Sequence, residues 1–181
     1  MEGQLLHILL VDDDEDDYVI TRDLLAEVKD SRFNLDWMDT YDAARAIIAQ
    51  NRHDVYLVDY RLGEHTGLEL LDEAVQNGCR APIILLTGQG DRTLDVEAMK
   101  MGAADYLVKG QIDAQLLERS IRYALEHKQV EEAAQRVAEQ HKHLLEISQS
   151  ILYLLLNRAT LNHIINFKLL TLFNPLPSLF T

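Results

Sequence analysis

The chain has 181 residues, of which 48% are hydrophobic, and this apolar content argues against an intrinsically disordered chain because it can fill a core of ordinary size. Residues 1–125 hold 25 acids and 12 bases and so carry the entire formal net charge of −13, whereas residues 126–181 hold five of each. Such an acidic front repels phosphate backbones and no Lys/Arg cluster interrupts it, so we expect no direct contact with nucleic acid.

Short aliphatic runs are predicted to form buried parallel strands. Each is too short for a helix, is apolar at successive positions, and either ends in a polar residue or is followed by one. The runs are HILLV at 7–11, DVYLVD at 54–59, PIILLT at 82–87 and DYLV at 105–108. A further segment, FNLDWMD at 33–39, alternates apolar and polar residues and is predicted to be a more exposed strand.

Patterns typical of amphipathic helices separate these runs. Thr40 is expected to cap the second helix, while Gly78 and Gly102 are expected to end the third and the fourth. Strands and helices therefore alternate as (βα)5. This alternation predicts an α/β fold of the flavodoxin-like kind, a doubly wound, five-stranded parallel sheet with helices on both faces.

The polar residues at the predicted strand ends define a candidate site. In an open α/β sheet the site lies outside the carboxyl ends of the strands, where the strand order reverses. The residues there are Asp12, Asp13, Asp59, Thr87 and Lys109. Three gathered carboxylates disfavour joint ionisation unless a hard divalent cation neutralises them. We therefore predict a Mg²⁺ site in which Asp13 and Asp59 are direct ligands and Asp12 is a ligand through water.

Asp59 is the predicted phosphoryl acceptor. An aspartate beside a metal ion can attack a phosphoryl group because this reaction depends on positioning and charge neutralisation more than on a strong base. Thr87 is expected to donate a hydrogen bond to one phosphoryl oxygen, and Lys109 to place its ammonium against another. The later acids of the run 12–17 fall in the first turn of the next helix, whose positive end favours them.

Together these motifs resemble the receiver domain of two-component response regulators. They are LLVDD, Asp59 in YLVDYRLGEHTGLELL, Thr87 in ILLTG, and Tyr106 to Lys109 in YLVK. The resemblance covers roughly residues 5–125 and implies phosphorylation of Asp59 by a histidine kinase or a phosphotransfer protein. It also implies that the main-chain carbonyl of Arg61 ligates Mg²⁺. Thr87 and Tyr106 would form a switch that reshapes a surface for a downstream signalling protein.

Two glycines depart from the family's pattern. Gly110 follows Lys109 where the family usually has proline, often after a cis bond, and Gly63 stands where proline is common after the acceptor. A cis peptide bond costs more before glycine than before proline. The bond between Lys109 and Gly110 can therefore be trans, with a different path of the loop. Arg61 and Gln89, two residues beyond the acceptor and the hydroxyl donor, are either ordinary loop residues or regulators of water access to the phosphoryl group.

The C-terminal part of the chain is predicted to be one long helix from Ile112, because no helix breaker occurs between Gly110 and Asn174. A heptad pattern runs along it, and all but one of its core positions are apolar. The a positions are Val130, Val137, Leu144 and Ile151, and the d positions are Ala133, Gln140, Ile147 and Leu154. This pattern favours a coiled coil, so we predict a parallel homodimer.

The chain is thus predicted to consist of a receiver domain at 1–125, a coiled-coil connector helix at 126–156 and an apolar tail at 157–181. The tail is nearly uncharged and is either helical in its own right or the start of a truncated output module. A monomer would expose much of this apolar surface, which implies a partner.

Three classes of function are compatible with parts of this pattern. We favour a phosphorylation-dependent signalling module of a phosphorelay, with at most slow self-catalysed phosphorylation and dephosphorylation rather than enzyme activity. A phosphatase or phosphotransferase normally needs a second carboxylate two residues after the nucleophile, where this chain has Arg61. A constitutive dimeric scaffold is the other alternative, and the intact Asp13, Asp59 and Lys109 argue against it.

The cellular compartment is predicted from three features. Cys79 is the only cysteine, which excludes an internal disulfide and fits a reducing compartment. The first residues lack the basic region and the cleavage site of a signal peptide. No stretch reaches about 18 uncharged apolar residues. We therefore expect a cytoplasmic protein without a membrane span.

Overall fold

The computed structural model describes residues 5–29, 32–88 and 92–173. The strands are β1 (Leu5–Val11), β2 (Arg32–Met38), β3 (Val55–Asp59), β4 (Arg61–Leu62), β5 (His65–Thr66), β6 (Ile83–Thr87) and β7 (Asp105–Val108). The helices are α1 (Glu15–Glu27), α2 (Tyr41–Ile48), α3 (Gly67–Gln76), α4 (Arg92–Met101) and α5 (Ala114–Phe173). A short 3-10 turn, Lys109–Gln111, precedes α5. The chain divides into two compact units, Met1–Glu131 and Glu132–Thr181.

The first unit contains a five-stranded parallel sheet in the order β2-β1-β3-β6-β7. β1 pairs with β2 on one side and with β3 on the other, so the strand order reverses at β1. The predicted flavodoxin-like fold is therefore confirmed, and its reversal point lies where the acidic run follows β1.

Apolar side chains cover both faces of this sheet. Leu9, Val58 and Leu85 point to the face that packs against α2, α3 and α4. Leu10 and Leu57 point to the opposite face, which packs against α1 and the first turns of α5. The central strands β3 and β6 are buried at every position, which explains why their sequences are uninterrupted apolar runs.

The residues that begin the helices differ in how they cap them. Asp14 caps α1, since its side chain accepts a hydrogen bond of 2.9 Å from the backbone N–H of Asp16. Thr66 and Glu69 form a reciprocal capping box at α3. Thr40 occupies the N-cap position of α2 as predicted, but its side chain makes no capping hydrogen bond, and that part of the prediction was wrong.

A small antiparallel hairpin of β4 and β5 was not predicted. Arg61 pairs with Thr66 and Leu62 with His65. Gly63 turns the chain between these strands with a φ of 63°, a conformation that proline cannot adopt because its ring holds φ near −65°. The hairpin therefore excludes proline and favours glycine at this position.

The described part of the second unit is helical up to Phe173. Its heptad core positions Val137, Leu144, Ile147, Ile151 and Leu154 have exposed fractions between 44% and 66%. None of the helices among the described residues combines the length and the hydropathy of a membrane span. Gln89 and the tail from residue 174 onward lie outside the described residues.

Candidate phosphoacceptor site

Two buried carboxylates lie at the carboxyl ends of neighbouring strands. Asp12 directly follows β1 and Asp59 is the last residue of β3, and their exposed fractions are 0% and 6%. Asp13, the next residue after Asp12, is exposed. The parallel pairing of β1 with β3 brings these side chains to one edge of the sheet, as the sequence predicts.

Lys109 reaches the site from the edge strand of the sheet, because it directly follows β7. Its Nζ donates hydrogen bonds of 2.7 Å to Asp12 Oδ2 and to Asp17 Oδ2. It also forms an ion pair of 2.7 Å with Asp59 Oδ1. An ammonium group has three N–H donors, so three carboxylates can occupy all of them. The predicted proximity of Lys109 to Asp12 and Asp59 is therefore observed.

Asp17 is a member of this cluster that the sequence analysis did not identify. The acidic run predicts only that it lies in the first turn of α1, where a negative charge is favourable in any case. No local pattern separates Asp17 from the other acids of the run, because its partner Lys109 lies 92 residues away.

Burial and ion pairing act in opposite directions on the charges of the site. Burial raises the pKa of Asp12 to about 6, although the hydrogen bond from Lys109 and the backbone N–H of Asp14 lower it in part. Burial also lowers the pKa of Lys109, but its contacts with Asp12, Asp17 and Asp59 outweigh this effect and raise it. Lys109 is therefore charged at every physiological pH, whereas the ionised form of Asp12 is costly.

The acidic residues fit a hard divalent cation. Asp12, Asp13 and Asp59 each offer a carboxylate oxygen, and these three atoms all lie within 4.8 Å of one another. Ligands on opposite sides of an octahedral magnesium ion are separated by about 4 Å, so the spacing suits its all-oxygen coordination. Three carboxylates, those of Asp12, Asp17 and Asp59, contact the ammonium of Lys109, and Asp13 adds a fourth carboxylate nearby, so the site has an excess of negative charge.

The main chain around the acceptor is held by short contacts. The backbone N–H of Arg61 donates a hydrogen bond of 2.9 Å to Asp59 Oδ2, which places the Arg61 main chain at the site, while its side chain is exposed. The N–H of Gly67 donates to the carbonyl of Tyr60 at 2.9 Å. A Cβ atom on Gly67 would lie 2.3 Å from the carbonyl oxygen of Asp59, so only glycine fits there.

Trp37 supports the acidic turn and was also missed as a site residue. Its indole N–H donates a hydrogen bond of 2.8 Å to the carbonyl of Asp12, and its ring stacks on Tyr18 with 4.9 Å between the centroids. The N–H of Asp12 donates to the carbonyl of Met38 at 3.0 Å. Both main-chain polar groups of Asp12 are thus bound by the end of β2, so β2 fixes the position of this carboxylate.

The predicted switch residues lie on the two strands beyond β3, on the side of the sheet from which Lys109 enters the site. Thr87 ends β6 and is buried, one residue beyond Leu86, which pairs with Asp59 in the sheet. Tyr106 lies within β7 and packs half-buried against the core on the α2, α3 and α4 face. The peptide bond between Lys109 and Gly110 is trans, since no cis bond occurs among the described residues.

Comparison with known proteins agrees with this geometry. The family model of the response regulator receiver domain matches residues 8–122 of the sequence. The chain is 40% identical over 104 residues to the photosynthetic apparatus regulatory protein RegA of Rhodobacter capsulatus, which covers 56% of this chain and 54% of RegA. It is 36% identical over 104 residues to the transcriptional regulatory protein FixJ of Azorhizobium caulinodans, which covers 56% of this chain and 49% of FixJ.

A solved structure matches the same region. The crystal structure of the signal receiver domain of an HD domain-containing protein from Pseudomonas fluorescens Pf-5 aligns with a TM-score of 0.61 at 29% identity, covering 71% of this chain and 92% of that one. The chain spans about half the length of the curated relatives RegA and FixJ. Because the family model covers more than half of the sequence, the chain belongs to the response regulator receiver domain family.

Proposed function

We propose that this chain is a phosphorylation-dependent signalling module of a phosphorelay in the cytoplasm. A histidine kinase or a phosphotransfer protein supplies the phosphoryl group, Asp59 accepts it, and a downstream signalling protein reads the result. The observation that carries this proposal is the placement of Lys109 Nζ 2.7 Å from an oxygen of Asp59, beside two further carboxylates suited to Mg²⁺.

The proposed reaction transfers a phosphoryl group from a nitrogen atom of phosphohistidine to an oxygen atom of Asp59. A carboxylate oxygen of Asp59 forms the new O–P bond while the N–P bond of a phosphohistidine breaks, and the leaving nitrogen takes up a proton. Asp12, Asp13, Asp59 and the carbonyl of Arg61 would hold Mg²⁺, which when bound neutralises the carboxylates and the phosphoryl charge. Lys109 supplies positive charge to a phosphoryl oxygen. Slow attack by water on the phosphorus atom later breaks the O–P bond and releases inorganic phosphate and the free aspartate.

The proposed output is a change of packing near the phosphoryl group. Thr87 donates its hydroxyl to a phosphoryl oxygen, and Tyr106 follows it inward because its ring already packs at the edge of the core. A local change of charge thereby biases a two-state surface made by α4, β7 and the start of α5.

Phosphorylation with a small donor tests this proposal. In Mg²⁺ and ammonium phosphoramidate, the intact mass of the full chain is expected to increase by one phosphoryl group. Asp59→Asn is expected to show no increase, because an amide cannot act as the acceptor. Asp42→Asn is the matched control, since its side chain is 88% exposed and lies outside the site, and it is expected to behave as the wild type. An unchanged wild-type mass would favour the constitutive scaffold.

We further propose that the connector at 126–156 forms a parallel coiled-coil homodimer. Its core positions are apolar yet largely exposed, with Val137 and Leu144 each 64% exposed, and a second copy would bury them. The opposite f positions carry Gln135, Lys142 and Gln149, which suit a solvent-facing side.

The dimer is tested by a pair of double variants with equal changes of charge. Val137→Asp with Leu144→Asp places two carboxylates in the seam and is expected to reduce the sedimenting species to the monomer. Gln135→Asp with Gln149→Asp adds the same charge on the outer side and is expected to leave the dimer intact. Equal masses for the two double variants in sedimentation equilibrium would argue against this seam.

A further inference from the structure

We propose that Asp17 is a positioning residue for the phosphorylation reaction, which holds the ammonium of Lys109 at the acceptor. This inference rests on the proposed function of Asp59. The observation behind it is the hydrogen bond of 2.7 Å between Lys109 Nζ and Asp17 Oδ2, which joins residues 92 positions apart in the sequence.

Asp17 differs from its neighbours in the first turn of α1. The side chains of Asp14, Glu15 and Asp16 are exposed, whereas the side chain of Asp17 is 28% exposed and turned towards Lys109. Favourable interaction with the helix end requires only a negative charge in this turn, which the neighbours already supply. The contact with Lys109 is therefore a separate property of Asp17.

The surroundings of Asp17 and Lys109 strengthen the ion pair between them. Asp17 and Lys109 lie at the edge of a cavity that is lined mainly by apolar side chains, among them Ile20, Leu24 and Ile112. Lys109 itself is only 20% exposed. An ion pair beside apolar groups is screened less by water than one on an open surface, so this contact can hold the flexible lysine side chain in one orientation.

The residue that follows Lys109 has no side chain that could pack against it. The next residue is Gly110, and the position of its missing Cβ has no neighbouring atom within 4 Å. The contacts that position the ammonium are those of 2.7 Å with its three carboxylate partners. Of these partners, Asp12 and Asp59 also belong to the candidate metal cluster, but Asp17 does not.

This division of partners gives Asp17 its proposed role. When Asp59 carries a phosphoryl group and Asp12 binds a cation, the carboxylate oxygens of both residues also bind these groups. Asp17 binds neither the phosphoryl group nor the cation, so it keeps Lys109 beside the phosphoryl oxygen throughout the transfer. A positive charge that is already in place at the phosphoryl oxygen stabilises the transition state without reorganisation.

The test compares Asp17→Ala with Asp16→Ala, a change of the same size and charge in the same helical turn. We expect Asp17→Ala to lower the rate of phosphorylation by phosphoramidate about tenfold, the scale of one lost charged hydrogen bond, and Asp16→Ala to leave it unchanged. The Kd for Mg²⁺, measured by calorimetry on the full chain, should stay within about twofold of the wild type in both variants, because Asp17 lies outside the metal cluster.

Asp17→Asn is a second test of the proposal, and it can be used if the alanine variant does not fold. It keeps the size and one acceptor oxygen but removes the charge, so its rate should fall between those of the wild type and Asp17→Ala. Equal rates for the Asp17 and Asp16 variants would overturn this inference, as would an equal loss of Mg²⁺ affinity and rate. A wild-type chain that accepts no phosphoryl group would instead overturn the proposed function, and this inference with it.

Discussion

Replacing Lys109 with methionine is expected to destabilise the folded chain by about 3 kcal/mol when divalent cations are absent. The substitution leaves Asp12 and Asp59 without their cationic partner, and their side chains are only 1% and 8% exposed. Methionine fills a similar volume, so the loss reflects the unpaired carboxylates more than a cavity. Urea unfolding in the presence of a chelator measures this change.

The pH dependence of the Lys109→Met variant follows from the pKa of Asp12. Burial already raises this pKa to about 6, and loss of the lysine removes a contact that lowers it, so it rises further. The folded chain then holds a proton that the unfolded chain, with a pKa near 3.8, has released. Stability therefore falls as the pH rises through this window, and the loss is larger at about pH 8 than at about pH 5.

Lys128→Met is the control for this prediction. Lys128 forms one surface ion pair of 3.1 Å with Glu131, and its loss is expected to cost less than about 1 kcal/mol at either pH. Added Mg²⁺ should recover part of the stability of Lys109→Met, because it supplies the missing positive charge. Similar losses for the two lysine variants, or no difference between the two pH values, would contradict this account of the site.

Gly67→Ala is expected to destabilise the fold by about 3 kcal/mol and to remove phosphorylation of Asp59. The new Cβ atom would lie 2.3 Å from the carbonyl oxygen of Asp59 and 3.1 Å from Cγ1 of Val58. The first of these neighbours is backbone at the end of a central strand, so it cannot move aside without shifting the acceptor. Unfolding in urea and the increase in intact mass give the two measurements.

Gly110→Ala is the matched control for Gly67→Ala. Its Cβ position has no atom within 4 Å and its φ is not in the left-handed region, so alanine is expected to be neutral or slightly stabilising. Both glycines lie near the site, so the comparison isolates the steric contact from the general effect of adding a methyl group. The explanation fails if the two alanine variants have the same stability.

The order of elements and the identity of the strand ends were predictable from the sequence. The runs that became β3 and β6 are apolar at successive positions because both faces of these strands are covered. Asp12 and Asp59 stand at the ends of such runs, so the rule for open α/β sheets places them together without coordinates. The heptad of the connector is similarly visible, because its spacing repeats along a single helix.

Other features depend on segments that are distant in the sequence. The partner of Asp17 lies 92 residues away and the indole of Trp37 reaches a carbonyl 25 residues away. The hairpin at Gly63 is too short to leave a periodic pattern, and its φ of 63° depends on the local path of the chain. No local pattern contains the distances that decide these contacts.

Local patterns were enough to predict which side chains stand at the strand ends and that these ends lie together, because burial on two faces and a period of two or 3.6 residues are properties of neighbouring residues. The contact of Lys109 with Asp17 in addition to Asp12 and Asp59 follows from the folded arrangement alone, as does the closeness of Gly67 to the carbonyl of the acceptor. These contacts depend on how α1, α3 and the turn after β7 pack on the sheet, and packing distances of a few ångströms are set by the whole core.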